Sequence, residues 1–252
     1  MIPPLLIDIN ADLGEGSGQD IELMPLISSC NIASGGHYGN IDSMRTTIQL
    51  AKANKVYIGA HPSFPDPANF GRKRLSMTKR ELTETIYNQL MHFITICNTE
   101  RTSMHHVKLH GALYNYAAID APTADAVIEA ILATNTRPQL VAPFNSILAK
   151  KANNLLPLVF EAFIDRRYTD DLSLVSRSKP NAIITTAEEA WHQFYQLINK
   201  QSVTTVHNTI RSLKADTFCI HGDHENSISI LKYIHSQMKK FNIHLKKDIN
   251  NV

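Results

Sequence analysis

The sequence predicts an α/β fold whose seven parallel strands either close into a (β/α) barrel or remain an open doubly wound sheet, and we favour the barrel. Two observations lead to this prediction. Seven short runs of apolar and β-branched residues alternate with amphipathic segments of helical length, as in successive βαβ units. Polar residues follow most of these runs directly, as expected where the loops of a parallel fold meet at one edge.

The first strand is predicted from LLIDIN, residues 5–10, in which polar and apolar residues alternate. Asp8, Asn10 and Asp12 fall on one side, and the residues between them are apolar. Because unpaired carboxylates are costly to bury, this side of the strand must meet other polar groups, a ligand or a metal ion. The other predicted strands are residues 28–33, 56–61, 105–110, 139–143, 156–164 and 216–223.

The helices are predicted by apolar spacing together with signals for the first turn. Asn40 suits an N-cap. Thr78 with Glu81, and Thr186 with Glu189, form capping-box patterns. The predicted helices span residues 40–55, 78–97, 123–132 with Pro122 just ahead, 190–198 and 227–241.

The alternation of strands and helices has one interruption. Residues 203–213 predict a small hairpin that turns at His207 and Asn208. A length of 252 residues suits a single barrel domain over residues 1–252, and no linker-like segment divides it.

Composition excludes several classes of protein. Lys and Arg number 25 against 23 Asp and Glu, which gives no electrostatic footprint for nucleic acid or an anionic membrane. The sequence has no signal peptide and no run of about 18 apolar residues that would span a bilayer. Cys30, Cys97 and Cys219 lie in apolar stretches without metal-ligand spacing, which favours a reducing compartment. We therefore expect a cytoplasmic protein.

The candidate site consists of polar residues at or just beyond the carboxyl ends of the predicted strands. In a parallel barrel these ends surround one mouth, where active sites form. The residues at this edge, in strand order, are Asp12 and Glu15, then His37, His61, His110, Asp165 with Arg166 and Arg167, and His221 with Asp223.

The residue types at this edge favour acid–base chemistry by carboxylates and imidazoles, with metal assistance as an option. The sequence has no Walker phosphate loop, dinucleotide fingerprint or nucleophile elbow. Two basic groups have alternative interpretations. Lys108 either contacts a ligand or neutralises Asp8 or Asp12. Arg166 and Arg167 either hold a carboxylate or phosphate, or form salt bridges with a neighbouring helix.

At these residues the sequence resembles the LamB/YcsF family, which supplies one of the subunits of bacterial ATP-dependent 5-oxoprolinase. The resemblance runs from about Ile7 to Lys239. The matching motifs, in order, are DINADLGEG, SCNIASGGHYGN, IGAHPSFPD, FGRKRL, VKLHGALYN, EAFIDRRY, LVSRSKPNAII and CIHGD. The resemblance implies a seven-stranded β/α barrel of the glycoside hydrolase/deacetylase type.

The resemblance also implies an activity and a set of partners. The expected reaction opens the lactam ring of 5-oxo-L-proline to L-glutamate with hydrolysis of ATP, and two other subunits complete the enzyme. ATP is the expected cofactor, and a divalent metal ion is an option. Our hypothesis for the catalytic residues is Asp12, His37 and His61 for a metal ion or water, and His110, His221 and Asp223 for proton transfer. The expected substrate contacts are Asp8, Asn10, Glu15, Asn31, Lys108, Asp165, Arg166 and Arg167.

The sequence departs from the family pattern at several positions. Ser34 replaces a usual Cys, which excludes thiolate chemistry there. Leu109 and Ser176 each replace Pro, Asn40 with Ile41 replaces an Asp-Pro pair, and HENS follows Asp223 in place of Thr-Pro.

Two other functions compete with the lactam-opening prediction. A metal-dependent deacetylase of an acylated sugar or amine requires Asp12, His37 and His61 to converge on one ion with an open coordination position. A non-catalytic subunit that binds a small acid requires that binding survives loss of His110 or Asp223.

Overall fold

The computed structural model describes residues 3–177, 179–222 and 226–247. Seven parallel strands form a closed barrel, because the first strand pairs with the second on one side and with the last on the other. This confirms the predicted barrel. In order around it are β1 (Leu5–Leu13), β2 (Ser29–Ala33), β3 (Tyr57–His61), β4 (His106–Lys108), β5 (Gln139–Pro143), β6 (Leu158–Phe163) and β9 (Thr217–Ile220).

Helices surround the barrel, and no helix in the described ranges is long and apolar enough to cross a membrane. Short 3-10 helices at Met24–Leu26 and Pro67–Asn69 supplement them. The α-helices are α1 (Asp20–Leu23), α2 (Ile41–Asn54), α3 (Lys79–Thr99), α4 (Gly111–Ile119), α5 (Ala121–Ala133), α6 (Ile147–Ala152), α7 (Ala187–Lys200) and α8 (Ser227–Lys240).

The capping signals are confirmed at two of the three helices. Asn40 accepts from the backbone of α2, and Thr78 with Glu81 forms the complete capping box of α3. At α7 only half of the predicted box forms. Thr186 accepts from the Glu189 backbone, but the Glu189 carboxylate lies 2.5 Å from the Arg167 guanidinium. That charged pair replaces the return hydrogen bond to the helix start.

Within the described ranges, three short strands lie outside the barrel. The hairpin predicted at residues 203–213 is confirmed as antiparallel strands β7 (Ser202–Thr204) and β8 (Ile210–Ser212). The sequence did not predict β10 (Ile243–Leu245), which pairs in parallel with the start of β1. Three residues directly after a helix are too few for a period-two pattern to stand out.

The two faces of β1 show how the barrel is organised. Ile9, Ala11 and Leu13 are buried among the apolar residues of the core. Asn10 and Asp12 are buried on the opposite face, toward the barrel interior. The interior therefore contains polar groups that must be paired with one another.

Lys108 on β4 is the central cation of this interior. Its Nζ lies 3.0 Å from Asp12 Oδ1, 2.9 Å from Glu161 Oε1 and 3.2 Å from Asn10 Oδ1. Burial works to lower the pKa of Lys108, but Asp12 and Glu161, together with the hydrogen bond to the Cys219 sulfur, hold it well above its usual value. Lys108 is therefore charged and neutralises Asp12, one of the two interpretations of this residue.

His106 occupies the barrel interior beside Lys108. Its Nε2 lies 2.9 Å from the Asn31 side-chain oxygen. Burial, together with the neighbouring His105, holds the pKa of His106 well below its usual value. Gly59 makes room for this ring, because a Cβ there would lie only 2.1 Å from His106 Nε2. His106 is thus a neutral packing residue.

Replacing Lys108 with Met tests the buried charge network. The carboxylates of Asp12 and Glu161 would lose their cation, so we expect the free energy of unfolding to fall by about 3–5 kcal/mol. Denaturant unfolding measures this. The matched control is Lys150→Met at an exposed lysine of α6, which should change stability little. Equal effects of the two substitutions would contradict the account.

Candidate active site

Five ionisable side chains converge at the mouth of the barrel, where β1 to β4 end. Ligand atoms of Asp12, His61 and His110 all lie within 4.8 Å of one another, and so do those of Glu15, His37 and His110. His110 belongs to both groups. We call these five residues the mouth cluster.

The two histidines His61 and His110 are held with two ring nitrogens facing each other. His61 Nδ1 lies 2.8 Å from the backbone oxygen of Lys108, and His110 Nε2 lies 2.9 Å from that of Phe70. A carbonyl oxygen only accepts, so each of these nitrogens donates a proton. The remaining nitrogens, His61 Nε2 and His110 Nδ1, are 3.0 Å apart.

This arrangement requires a positive charge between the rings. In neutral histidines both facing nitrogens carry lone pairs, which repel at such a distance unless a proton or a metal ion lies between them. Metal-binding histidines characteristically donate their other N–H to a carbonyl or carboxylate, as both rings do here. The ring geometry therefore suits a cation site.

Two carboxylates complete the mouth cluster. Asp12 Oδ2 lies 3.4 Å from His61 Nε2, and Glu15 Oε1 lies 3.3 Å from His110 Nδ1. Burial works to raise the pKa of Glu15, but hydrogen bonds from His110 and His37 lower it to about 2. Burial likewise opposes ionisation of Asp12, but the charges of His61 and Lys108 hold its pKa well below the usual value. Both carboxylates are therefore ionised at neutral pH.

His37 packs against the outer side of this group. Its ring stacks on His110 with a centroid distance of 3.6 Å, and its Nε2 lies 2.9 Å from Glu15 Oε1. Burial lowers the pKa of His37 to about 4. Its Nδ1 is buried without a hydrogen-bond partner among the described residues. His37 is thus a neutral imidazole, and its Nδ1 is the nitrogen that could still bind a ligand.

The predicted metal ligands were Asp12, His37 and His61, and the structure distributes them differently. Asp12 and His61 share their group with His110, whereas His37 joins Glu15 and His110. Gly71 explains the tight packing, because a Cβ there would lie 2.9 Å from His37 Cβ and 3.0 Å from His110 Cδ2.

A second catalytic candidate is the pair formed by Asp165 and His221. His221 Nδ1 lies 2.9 Å from Asp165 Oδ2, and its backbone nitrogen donates to the same oxygen. Burial works to raise the pKa of Asp165, but His221 keeps it below its usual value. The carboxylate fixes the ring through Nδ1, an orientation that suits Nε2 for proton transfer.

This pair faces the same mouth as the cluster. Strands β1 and β9 pair with Ala11 opposite Ile220, so Asp12 and His221 are the next residues at the same level. His221 also contributes to the low pKa of Asp12. The predicted neighbour Asp223 lies outside the described residues.

The predicted substrate contacts lie at different depths. Asn10 and Asn31 lie below the cluster, where each hydrogen-bonds to interior side chains. Asp8 lies toward the other end of β1, where the hydroxyls of Ser28, Ser29 and Thr217 donate to it. The structure therefore does not bring Asp8 to the cluster.

The two arginines are engaged with the protein. The Arg166 guanidinium donates to the Val175 backbone oxygen at 2.6 Å. Arg167 forms its salt bridge with Glu189 of α7, which is the neighbouring-helix interpretation. The Nε atoms of both arginines are buried without a partner among the described residues. Contact of these arginines with an anionic ligand stays a prediction.

Three residues that support the site were missed by the sequence analysis. Phe70 contributes a backbone oxygen, whose role no pattern of side chains can predict. Glu161 was visible as an inward residue of its strand, and that parity could have identified it as the partner of Lys108. Ser34, one of the departures from the family pattern, accepts from the His61 backbone at 3.0 Å and so links β2 to β3.

Comparisons with known proteins agree with this architecture. One 5-oxoprolinase subunit, from Haemophilus influenzae (strain PittEE), is 38% identical over 238 residues, which cover 94% of this chain and 97% of that protein. The corresponding 5-oxoprolinase subunit from Staphylococcus epidermidis (strain ATCC 12228 / FDA PCI 1200) is 38% identical over 248 residues, which cover 96% of this chain and 98% of that protein.

A solved structure and a family model complete the comparison. The lactam utilization protein from Thermus thermophilus superposes with a TM-score of 0.90 at 32% identity, covering 96% of this chain and all of that one. Residues 7–251 match the model of the LamB/YcsF family. The resemblance seen in the sequence motifs is confirmed, and the chain belongs to the LamB/YcsF family.

Proposed function

We propose that this chain is one subunit of an ATP-dependent 5-oxoprolinase, which opens the lactam ring of 5-oxo-L-proline to L-glutamate with two partner subunits. The observation that supports this most directly is the mouth cluster together with the Asp165–His221 pair, in which His221 follows the strand next to that of Asp12. The names of the relatives at 38% identity favour the same reaction. The two together support a substrate class and a place for its chemistry.

Lactam hydrolysis needs three things from the protein. The carbonyl carbon must be made electrophilic, a water must be oriented toward it, and the ring nitrogen must receive a proton as the C–N bond breaks. His221 is suited to proton transfer, because Asp165 holds Nδ1 and leaves Nε2 for the substrate. Phe163 stacks on the His221 ring and restricts its rotation.

The mouth cluster would orient the carbonyl and the water. Asp12, His61 and His110 would hold a divalent cation, and Glu15 and His37, which share His110 in the second group, are the further candidate ligands. Such a cation, when bound, supplies Lewis acidity that polarises an amide carbonyl or lowers the pKa of a water. ATP would drive the step that the amide resists, activation of its carbonyl oxygen.

A metal-dependent deacetylase is the second candidate. The observation that favours it is the Asp12, His61 and His110 group, a carboxylate with two imidazoles around a common point. This group differs from the trio predicted for a deacetylase only by His110 in place of His37. The same residues would then act on an acetylated substrate without ATP.

Cation binding is the first test of the proposed site. We expect the purified chain to bind about one Zn²⁺ or Mn²⁺ ion, and His110→Ala to weaken this binding more than about 10-fold because a shared ligand is lost. Equilibrium dialysis with metal analysis measures it. His92→Ala, at an exposed histidine of α3, is the matched control. Unchanged binding in the His110 variant would contradict the site.

Turnover is the second test. With ATP and the partner subunits, we expect glutamate release from 5-oxoproline, and we expect His221→Ala to lower kcat about 10²- to 10⁴-fold as its proton transfer is lost. His192→Ala, at an exposed histidine of α7, should leave kcat unchanged. Both variants must first show native unfolding temperatures.

The outcomes of this assay separate the candidate functions. Acetate release from an acetylated amine or sugar without ATP, and no glutamate release, would favour the deacetylase. If His221→Ala retains wild-type kcat, the assigned role of the Asp165–His221 pair is wrong.

A further inference from the structure

A short basic segment extends directly from the mouth cluster to the protein surface. Phe70 accepts from His110 Nε2 through its backbone oxygen, and its ring lies edge-on to His37 and His110 at centroid distances of 5.1 and 5.4 Å. Gly71 then packs against both histidines. The position of the segment is therefore fixed relative to the cluster.

The next three residues are all cationic and all exposed. They are Arg72, Lys73 and Arg74. The Arg72 guanidinium carbon lies 5.1 Å from the centre of the Phe70 ring, and that of Arg74 lies 4.6 Å from the Tyr116 ring of α4. Stacking on an aromatic face orients a guanidinium, whose N–H groups form a planar fork suited to phosphate oxygens.

The start of α4 lies at the same edge. Ala112 donates its backbone N–H to the Gly71 oxygen at 3.0 Å, and a Cβ on Gly111 would lie 3.8 Å from Arg72 Cα. The His110 side chain precedes this helix but is directed to His61 and Phe70, so it does not cap the helix. The positive end of the helix adds to the charge of the basic segment.

The charges of the mouth are thereby separated. The interior carries the ionised carboxylates Asp12, Glu15 and Asp165, whereas the adjoining surface segment carries three cations. A phosphoryl group would be repelled by the first and attracted to the second. A ligand with a phosphoryl group at one end and a reacting carbonyl at the other fits this separation.

We propose that Arg72, Lys73 and Arg74 form a phosphoryl-binding rim at the barrel mouth. The rim would hold either the phosphates of a nucleoside triphosphate or the phosphoryl group of an activated lactam. This inference rests on the proposed function, because the ATP-dependent reaction requires a phosphoryl group and the sequence contains no Walker loop to hold it.

Neutralising the rim tests this inference. The variant is R72Q/K73Q/R74Q, and the matched control is K232Q/K239Q/K240Q, which removes three exposed lysines from α8. Binding of ATP, tripolyphosphate and acetyl phosphate is measured by calorimetry on the full chain and on its complex with the partner subunits. Unchanged unfolding temperatures verify that both variants are folded.

We expect the rim variant to weaken phosphoryl binding at least about 10-fold, as when one charge-assisted contact is lost, while the control binds as the wild type. Binding of both ATP and tripolyphosphate would identify a nucleotide as the source. Binding of acetyl phosphate alone would identify an activated substrate. The rim is refuted if no probe binds the wild type, or if the rim variant binds every probe as tightly as the wild type.

The same preparations separate this inference from the proposed function. A chain that binds a probe through the rim but releases no glutamate from 5-oxoproline, even with ATP and partners, retains the rim and contradicts the 5-oxoprolinase assignment. Full glutamate release by the rim variant supports that assignment and contradicts the rim.

Discussion

The geometry of the site depends on the contacts that the buried Lys108 makes. Its Nζ binds Asp12 and Glu161, and its backbone oxygen accepts from His61 Nδ1. One residue of β4 therefore orients a carboxylate of β1 and an imidazole of β3. Because Lys108 contacts only one Asp12 oxygen, the other remains directed toward His61. The charged groups of the interior thus orient the ligand atoms of the mouth cluster.

The two facing imidazole nitrogens of the mouth cluster need a positive charge between them, either a proton, for which Asp12 raises the pKa of His61 against the effect of burial, or a bound cation. Two ionised carboxylates and two facing imidazole nitrogens are held together by carbonyl hydrogen bonds and by the close packing of Gly71. This preorganisation is what a divalent cation requires of its ligands. His221, held by Asp165, follows the adjacent strand at the level of Asp12.

The alternation of strand and helix patterns, with polar residues at the strand ends, was enough to predict a parallel α/β fold and the gathering of Asp12, His61, His110 and His221 at one edge. It favoured a closed barrel over an open sheet without deciding between them. It could not decide which histidines share a ligand, because loop residues such as His37 follow no strand parity. Contacts of backbone groups could not be predicted either, because the backbone oxygen of residue 70 orients His110 whichever side chain that residue has. The Glu189 carboxylate binds Arg167 instead of the start of its own helix. This contact depends on the tertiary structure, so a local sequence pattern cannot predict it.

The most direct test of the central claim is anomalous diffraction at the zinc edge from crystals of the chain equilibrated with Zn²⁺. The account predicts a peak between His61 Nε2 and His110 Nδ1, about 2.0–2.1 Å from each nitrogen, with the facing nitrogens moved apart from their present 3.0 Å. Full occupancy elsewhere, or no peak with the two rings unchanged, would contradict a cation-dependent centre at this mouth.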